Sequence, residues 1–150
     1  MTQPNAIPYH SVDPQSLADM GNIRTLSICH YVWGLLTMAF SSIFVVHIVL
    51  GVAMLSGKIA PPPGAGAPPP NWFAAIFIAM GSSAVAIGWS VGLLTILSGR
   101  YMMSRRRRMF SLVMAGVNCA FFPFGTLLGV FTFVVLLRPS VRLMYEESRV

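Results

Sequence analysis

A chain of 150 residues that is 55% apolar and only 9% charged has the length of one domain but too little polar surface for a water-soluble globule. All four acids and all ten bases fall outside three apolar runs, 26–55, 72–97 and 109–137. Each run exceeds the ~20 residues that cross a bilayer core, so the net charge of +6 reads as membrane topology and argues against a nucleic-acid partner. Cys29 and Cys119 lie inside apolar runs, where free cysteine behaves as a small hydrophobe, and they indicate neither disulfide, metal nor nucleophile.

Residues 1–15 read as a polar tail kept extended by Pro4, Pro8 and Pro14, followed by a transmembrane helical domain over 16–150. Ser16 and Asp19 have the spacing of a capping box, which starts a helix. Leu17, Met20 and Ile23 then share one face while Asp19, Asn22 and Arg24 point elsewhere, so these first turns are expected along the membrane surface. No removable signal peptide is expected, because the first apolar run is late and too long.

Run 26–55 would be ~45 Å long as one helix. Tilt, or Tyr31 and Trp33 at the interface, absorbs the excess over a ~30 Å core. A turn at Ser41-Ser42 is disfavoured, since neither Gly nor Pro stands there. Stretch 56–70 carries two Pro-Pro-Pro triplets and is expected to be a stiff spacer on the non-cytoplasmic side, with a polyproline ligand as the lesser reading.

Run 72–97 carries Gly81, Ala84, Gly88 and Gly92 at spacings of three and four. In lipid, such a small-residue stripe lets helix backbones approach closely, and it is the expected helix-packing face. The loop 98–108 follows with Arg100, Arg105, Arg106, Arg107 and Arg108, half of all the bases. Its arginines fix topology and rest on anionic headgroups, which places the loop in the cytoplasm and 56–70 outside.

Run 109–137 contains Pro123 at its middle, so it must kink or reverse. Asn118 and Thr126 flank the proline and are expected to bond the backbone groups it frees, while Gly125 and Gly129 allow close packing just after it. Length favours one kinked crossing, because halves of ~21 Å are too short to span alone. Charge favours reversal, which puts nine bases inside against one, where a crossing puts six against four. The expected fold is an all-α integral membrane protein, a small bundle of three long transmembrane helices, the third kinked or turned back at Pro123 and making four if turned back. Three crossings are slightly preferred.

The ending Asn118-Cys119-Ala120-Phe121-Phe122-Pro123-Phe124-Gly125-Thr126, closed by Leu136-Leu137-Arg138-Pro139, resembles that of a broad group of small bacterial inner-membrane helical proteins. So does the pairing of Leu26-Ser27-Ile28-Cys29-His30-Tyr31-Val32 with Val46-His47-Ile48-Val49-Leu50-Gly51. The group shares a C-terminal Pro-x-Gly-Thr kinked segment and has no assigned activity. The resemblance covers about two thirds of the chain and implies the bacterial inner (cytoplasmic) membrane, but no mechanism.

His30 and His47 are the candidate ligands within the runs. Seventeen residues separate them, ~25 Å along a helix, so they cannot share one metal. Haem ligation or a proton relay needs a second ligand or a carboxylate, and no acid lies in any run. The simpler reading is a neutral imidazole bonded to a facing Ser, Thr or Asn118. No catalytic, cofactor or metal constellation is present, so the expected function is that of a non-enzymatic accessory or structural subunit of a larger membrane assembly, whose partners are the lipid bilayer and other membrane subunits or copies of itself. A homo-oligomeric pore lined by Ser82, Ser83, Ser90, Thr95 and Asn118 is the alternative, and an electron-transfer subunit the weaker one.

Overall fold

The computed structural model of the chain describes residues 14–59 and 70–147. All regular structure among them is helical: α1 (Pro14–Ser42), α2 (Val45–Leu55), α3 (Asn71–Met103), α4 (Arg108–Cys119), α5 (Phe124–Leu136) and α6 (Pro139–Glu147). Most of the expected polar tail (1–13), the proline-rich stretch 60–69 and Arg149 lie outside the described residues.

α1 and α2 form one rod of 42 residues. Its single irregularity follows from Ser41 and Ser42, whose hydroxyls both donate to the Met38 carbonyl (3.0 and 2.8 Å). The amides of Ile43 and Phe44 then bond three residues back, to Phe40 (3.2 Å) and Ser41 (3.1 Å), a tightened turn after which the helix resumes. The rod and α3 are long and apolar enough to cross a membrane, and a third span results if α5 and α6, bent by 73° at their junction, count as one.

α3 runs antiparallel to the rod because small residues recur at heptad spacing on both. Ser27 and His30 face Gly99, Gly34 faces Gly92 and Ile96, Ser41 faces Gly88, His47 faces Gly81, and Gly51 faces Ala74 and Ile78. α3 also extends to Met103, so only Ser104 to Arg107 connect it to α4.

The third run turns back at Pro123. α4 and α5, of 12 and 13 residues, are only ~18 and ~20 Å long and lie side by side as an antiparallel hairpin. Arg108 at the start of α4 donates from Nε to the Leu136 carbonyl at the end of α5 (2.8 Å), and Gly129 lies against Ala115 and Cys119 midway. The preferred single kinked crossing is thus replaced by the reversal that charge had favoured. Length argued against two spans, but each half closes its backbone bonds internally, so two half-length helices need only each other and α3 to pack against.

At the start of α1, Leu17 and Met20 are exposed while Asp19 is fully buried. The helix begins at Pro14, where a missing N–H costs nothing, and runs straight on into the rod. Asp19 is drawn inward by Arg138 at the α5–α6 junction and Ser140 of α6, both more than a hundred residues away. Around it lies the main apolar cluster, Ile23, Leu26, Met102, Val135, Leu136, Val141 and Tyr145, at the arginine-bearing end of the molecule.

Candidate functional site

The expected packing stripe is spent within the chain. A Cβ placed on Gly81 would lie 2.9 Å from the Phe44 carbonyl oxygen, and one on Gly92 2.7 Å from that of Gly34. Gly88 abuts Ser41, and half-buried Ala84 lines a cleft beside it. The matching small residues Gly34 and Gly51 on the rod escaped the sequence reading. The signal for Gly34 was the seven-residue recurrence of Ser27, Gly34 and Ser41, a register that does not include Gly51.

The two histidines stay apart. His30 is fully buried against Gly99, its Nδ1–H donating to the Leu26 carbonyl (2.9 Å). The expected Ser, Thr or Asn118 partner is thus replaced by a backbone oxygen one turn back, and Nε2 meets no hydrogen-bond partner among the described residues. His47 is half-buried and lies flat between Phe77 (5.7 Å between centroids) and Phe44 (5.3 Å).

Between α3 and α4 runs a buried polar seam. The Thr95 hydroxyl donates to Asn118 Oδ1 (3.2 Å), and the Ser111 hydroxyl reaches the Ser98 carbonyl (3.4 Å). All four residues are almost wholly buried, and Ser98 Oγ and Asn118 Nδ2 lack hydrogen-bond partners among the described residues, each a cost of about 1–3 kcal/mol. These groups hydrogen-bond but form no acid–base pair, since Asp19 stands about 16 Å down α1 from His30. Among the described residues no three of His, Cys, Asp and Glu gather where a metal would bind. Ser82, Ser83 and Ser90 lie exposed on α3, away from the buried Thr95 and Asn118, so within one chain these residues do not line a common path. Ser83 and Ser90 donate to carbonyls of their own helix.

At the hairpin turn, Thr126 behaves as expected: its hydroxyl donates to the Cys119 carbonyl (2.8 Å). Asn118 does not, because its side chain crosses to Thr95 and only its backbone carbonyl serves the turn, accepting from the Phe121 amide (2.9 Å). Gly125 and Gly129 bring α5 onto α4, with Trp33 of α1 packed at Gly125.

The arginine cluster is partly structural. Arg105 and Arg107 adopt positive φ (48° and 51°), Arg107 stacks over Tyr101 (5.2 Å), and Arg108 ties the hairpin base. Arg100 and Arg106 remain exposed. Nearby, burial pushes the Tyr145 phenol up to about 12 against the opposing pull of Arg108 and Arg105.

The strongest polar contact at this end was not foreseen from the sequence. Asp19 Oδ1 accepts from Arg138 (2.9 Å) and Oδ2 from the Ser140 hydroxyl. The serine does most to hold the carboxyl below its ordinary value and Arg138 adds to it, while burial opposes both.

Two of the apolar recesses beside α1 lie against the hairpin. One, of about 500 Å³, runs between α1 and α5 from Asn22 and Thr25 to Leu36, with Phe124, Leu128, Phe131 and Val135 as its other wall. The second, of about 370 Å³, lies at the hairpin tip between Phe121, Phe122 and the α1–α3 pair. No family model, curated protein or solved structure matches the chain.

Proposed function

We propose that the chain is a multi-pass protein of the bacterial inner membrane that acts, without catalysis, as an accessory or structural subunit of a larger membrane assembly. The half-length hairpin carries this reading. Its ~20 Å stop part-way along the ~50 Å of α3, leaving α2 and the first half of α3 as a bare pair with Val45, Val49, Val52, Ile76 and Met80 exposed. Lipid suits such flanks, while the shoulder above Phe122, itself 87% exposed, offers a neighbour's helix a seat against Ala84 and Ile87. Partners are therefore the bilayer and another membrane subunit or a second copy.

Charge supports one orientation. Arg24, Arg100, Arg105, Arg106, Arg107, Arg108, Arg138 and Arg142 gather at one end and Lys58 lies at the other, which puts the arginine end in the cytoplasm and makes the hairpin re-entrant from that side. The resemblance of the Pro123-Phe124-Gly125-Thr126 ending to small bacterial membrane proteins belongs to the same reading.

Gentle solubilisation of native membranes tests the assembly: the chain should migrate with a stoichiometric partner and lose it on Ala84→Trp, and a lone, well-behaved monomer overturns the reading. For orientation, an impermeant maleimide should label Ser56→Cys on intact cells, in a background lacking Cys29 and Cys119, and should reach Arg142→Cys only after permeabilisation. Outside labelling at 142 overturns the re-entrant hairpin.

A further inference from the structure

The recess between α1 and α5 has the dimensions of a site for one hydrocarbon chain. Its walls, residues 25–36 and 124–135, each run about 16 Å, close to half of a ~30 Å hydrocarbon core. An open apolar groove of about 500 Å³ and this length takes an extended acyl chain lengthwise. Val32, Trp33 and Leu36 on one side and Leu128, Phe131 and Val135 on the other supply an apolar lining.

One end of this groove is charged. Arg138 follows Val135 by one turn, and its partner Asp19 precedes Asn22 by one turn, so both walls lead to the same guanidinium. Its side chain is 43% exposed and, among the described residues, makes one hydrogen bond, to Asp19, leaving donors for a second anion. Because Asp19 holds it, the cation stands where an acyl chain in the groove would end at its headgroup.

We propose that the α1–α5 groove binds one acyl chain of an anionic phospholipid, with the phosphate paired to Arg138. This rests on the bilayer placement proposed above, and with the arginine end inside it selects the cytoplasmic leaflet. Trp33 in the groove wall is a built-in reporter. Two single-tryptophan forms, Trp72→Phe/Trp89→Phe and Trp33→Phe/Trp72→Phe, are reconstituted into vesicles carrying acyl-brominated phosphatidylglycerol or phosphatidylcholine at equal mole fraction. Trp33 should reach half-quenching at an about fivefold lower fraction of the anionic lipid, the ratio that one basic residue provides. Trp89 should respond equally to both.

Cys29→Phe, which fills the groove from an exposed position, should abolish the Trp33 preference, and so should Arg138→Gln, while Arg138→Lys keeps it. Should Arg138→Gln fail to fold, Cys29→Phe decides alone. Equal quenching of Trp33 by the two lipids, or a preference that survives Cys29→Phe, overturns the site. Failure of the bilayer reading looks different: neither tryptophan is quenched by either lipid.

Discussion

The contact between Gly34 and Gly92 is where the antiparallel pair is most sensitive, because each glycine faces the other's carbonyl oxygen. A Cβ on either lies 2.7 Å from that oxygen, and real contacts of this kind are not found below 3.0 Å and are rare below 3.4 Å. Valine at 92 therefore forces α1 and α3 apart by 0.3 to 0.7 Å, and a backbone oxygen, unlike a side chain, cannot swing aside. Overpacking of this kind costs about 1–3 kcal/mol, against a gain of a few tenths from replacing a helical glycine, for a net loss near 2 kcal/mol. Gly21→Val is the control, since a Cβ there meets nothing within 4 Å and only the small gain remains. Thermal unfolding in mild detergent should place Gly92→Val roughly 4–8 °C below Gly21→Val. The double variant Gly34→Val/Gly92→Val should lose at least ~0.5 kcal/mol less than the sum of the singles, because both act through one separation. If Gly92→Val is as stable as Gly21→Val, or the two losses simply add, the pairing of α1 with α3 is wrong.

Asp19 gives a pH signature: its folded carboxyl titrates below the ordinary 3.8, so the stability it confers is complete above that value and drains as the pH falls through the folded one. Unfolding scans from pH 6 to pH 2 should show a decline below about pH 4 that is missing in Asp19→Asn. At the hairpin turn, Thr126→Val loses the bond to the Cys119 carbonyl and should cost about 1 kcal/mol, read as faster amide exchange at the start of α5. Asn118→Leu leaves that exchange nearly unchanged and loosens α4 from α3 instead, because its side chain bonds Thr95.

The legible features were those set by composition along one helix. Long apolar runs bounded by charge gave the rod and α3, and glycines at spacings of three and four gave the face they share. Pro123 announced a break, and Thr126 and Gly125 beside it were read in their observed roles because the groups they meet at the turn, Cys119 and Asn118, lie only seven residues back. Asn118 was misassigned for the opposite reason: its partner Thr95 belongs to another helix, and nothing in a linear reading ranks a side chain 23 residues away over a backbone group nearby.

The sequence alone pointed to a helical chain with three long apolar runs and a charged turn, since runs longer than ~20 apolar residues satisfy their backbone hydrogen bonds most simply within a helix. Only the tertiary structure decided whether the third run continues or returns. That choice depends on contacts between distant residues: Arg108 with Leu136, Gly129 with Ala115, and Asp19 with Arg138. Each is an interaction whose geometry exists only once the helices lie side by side, and so leaves no periodic trace in the order of residues.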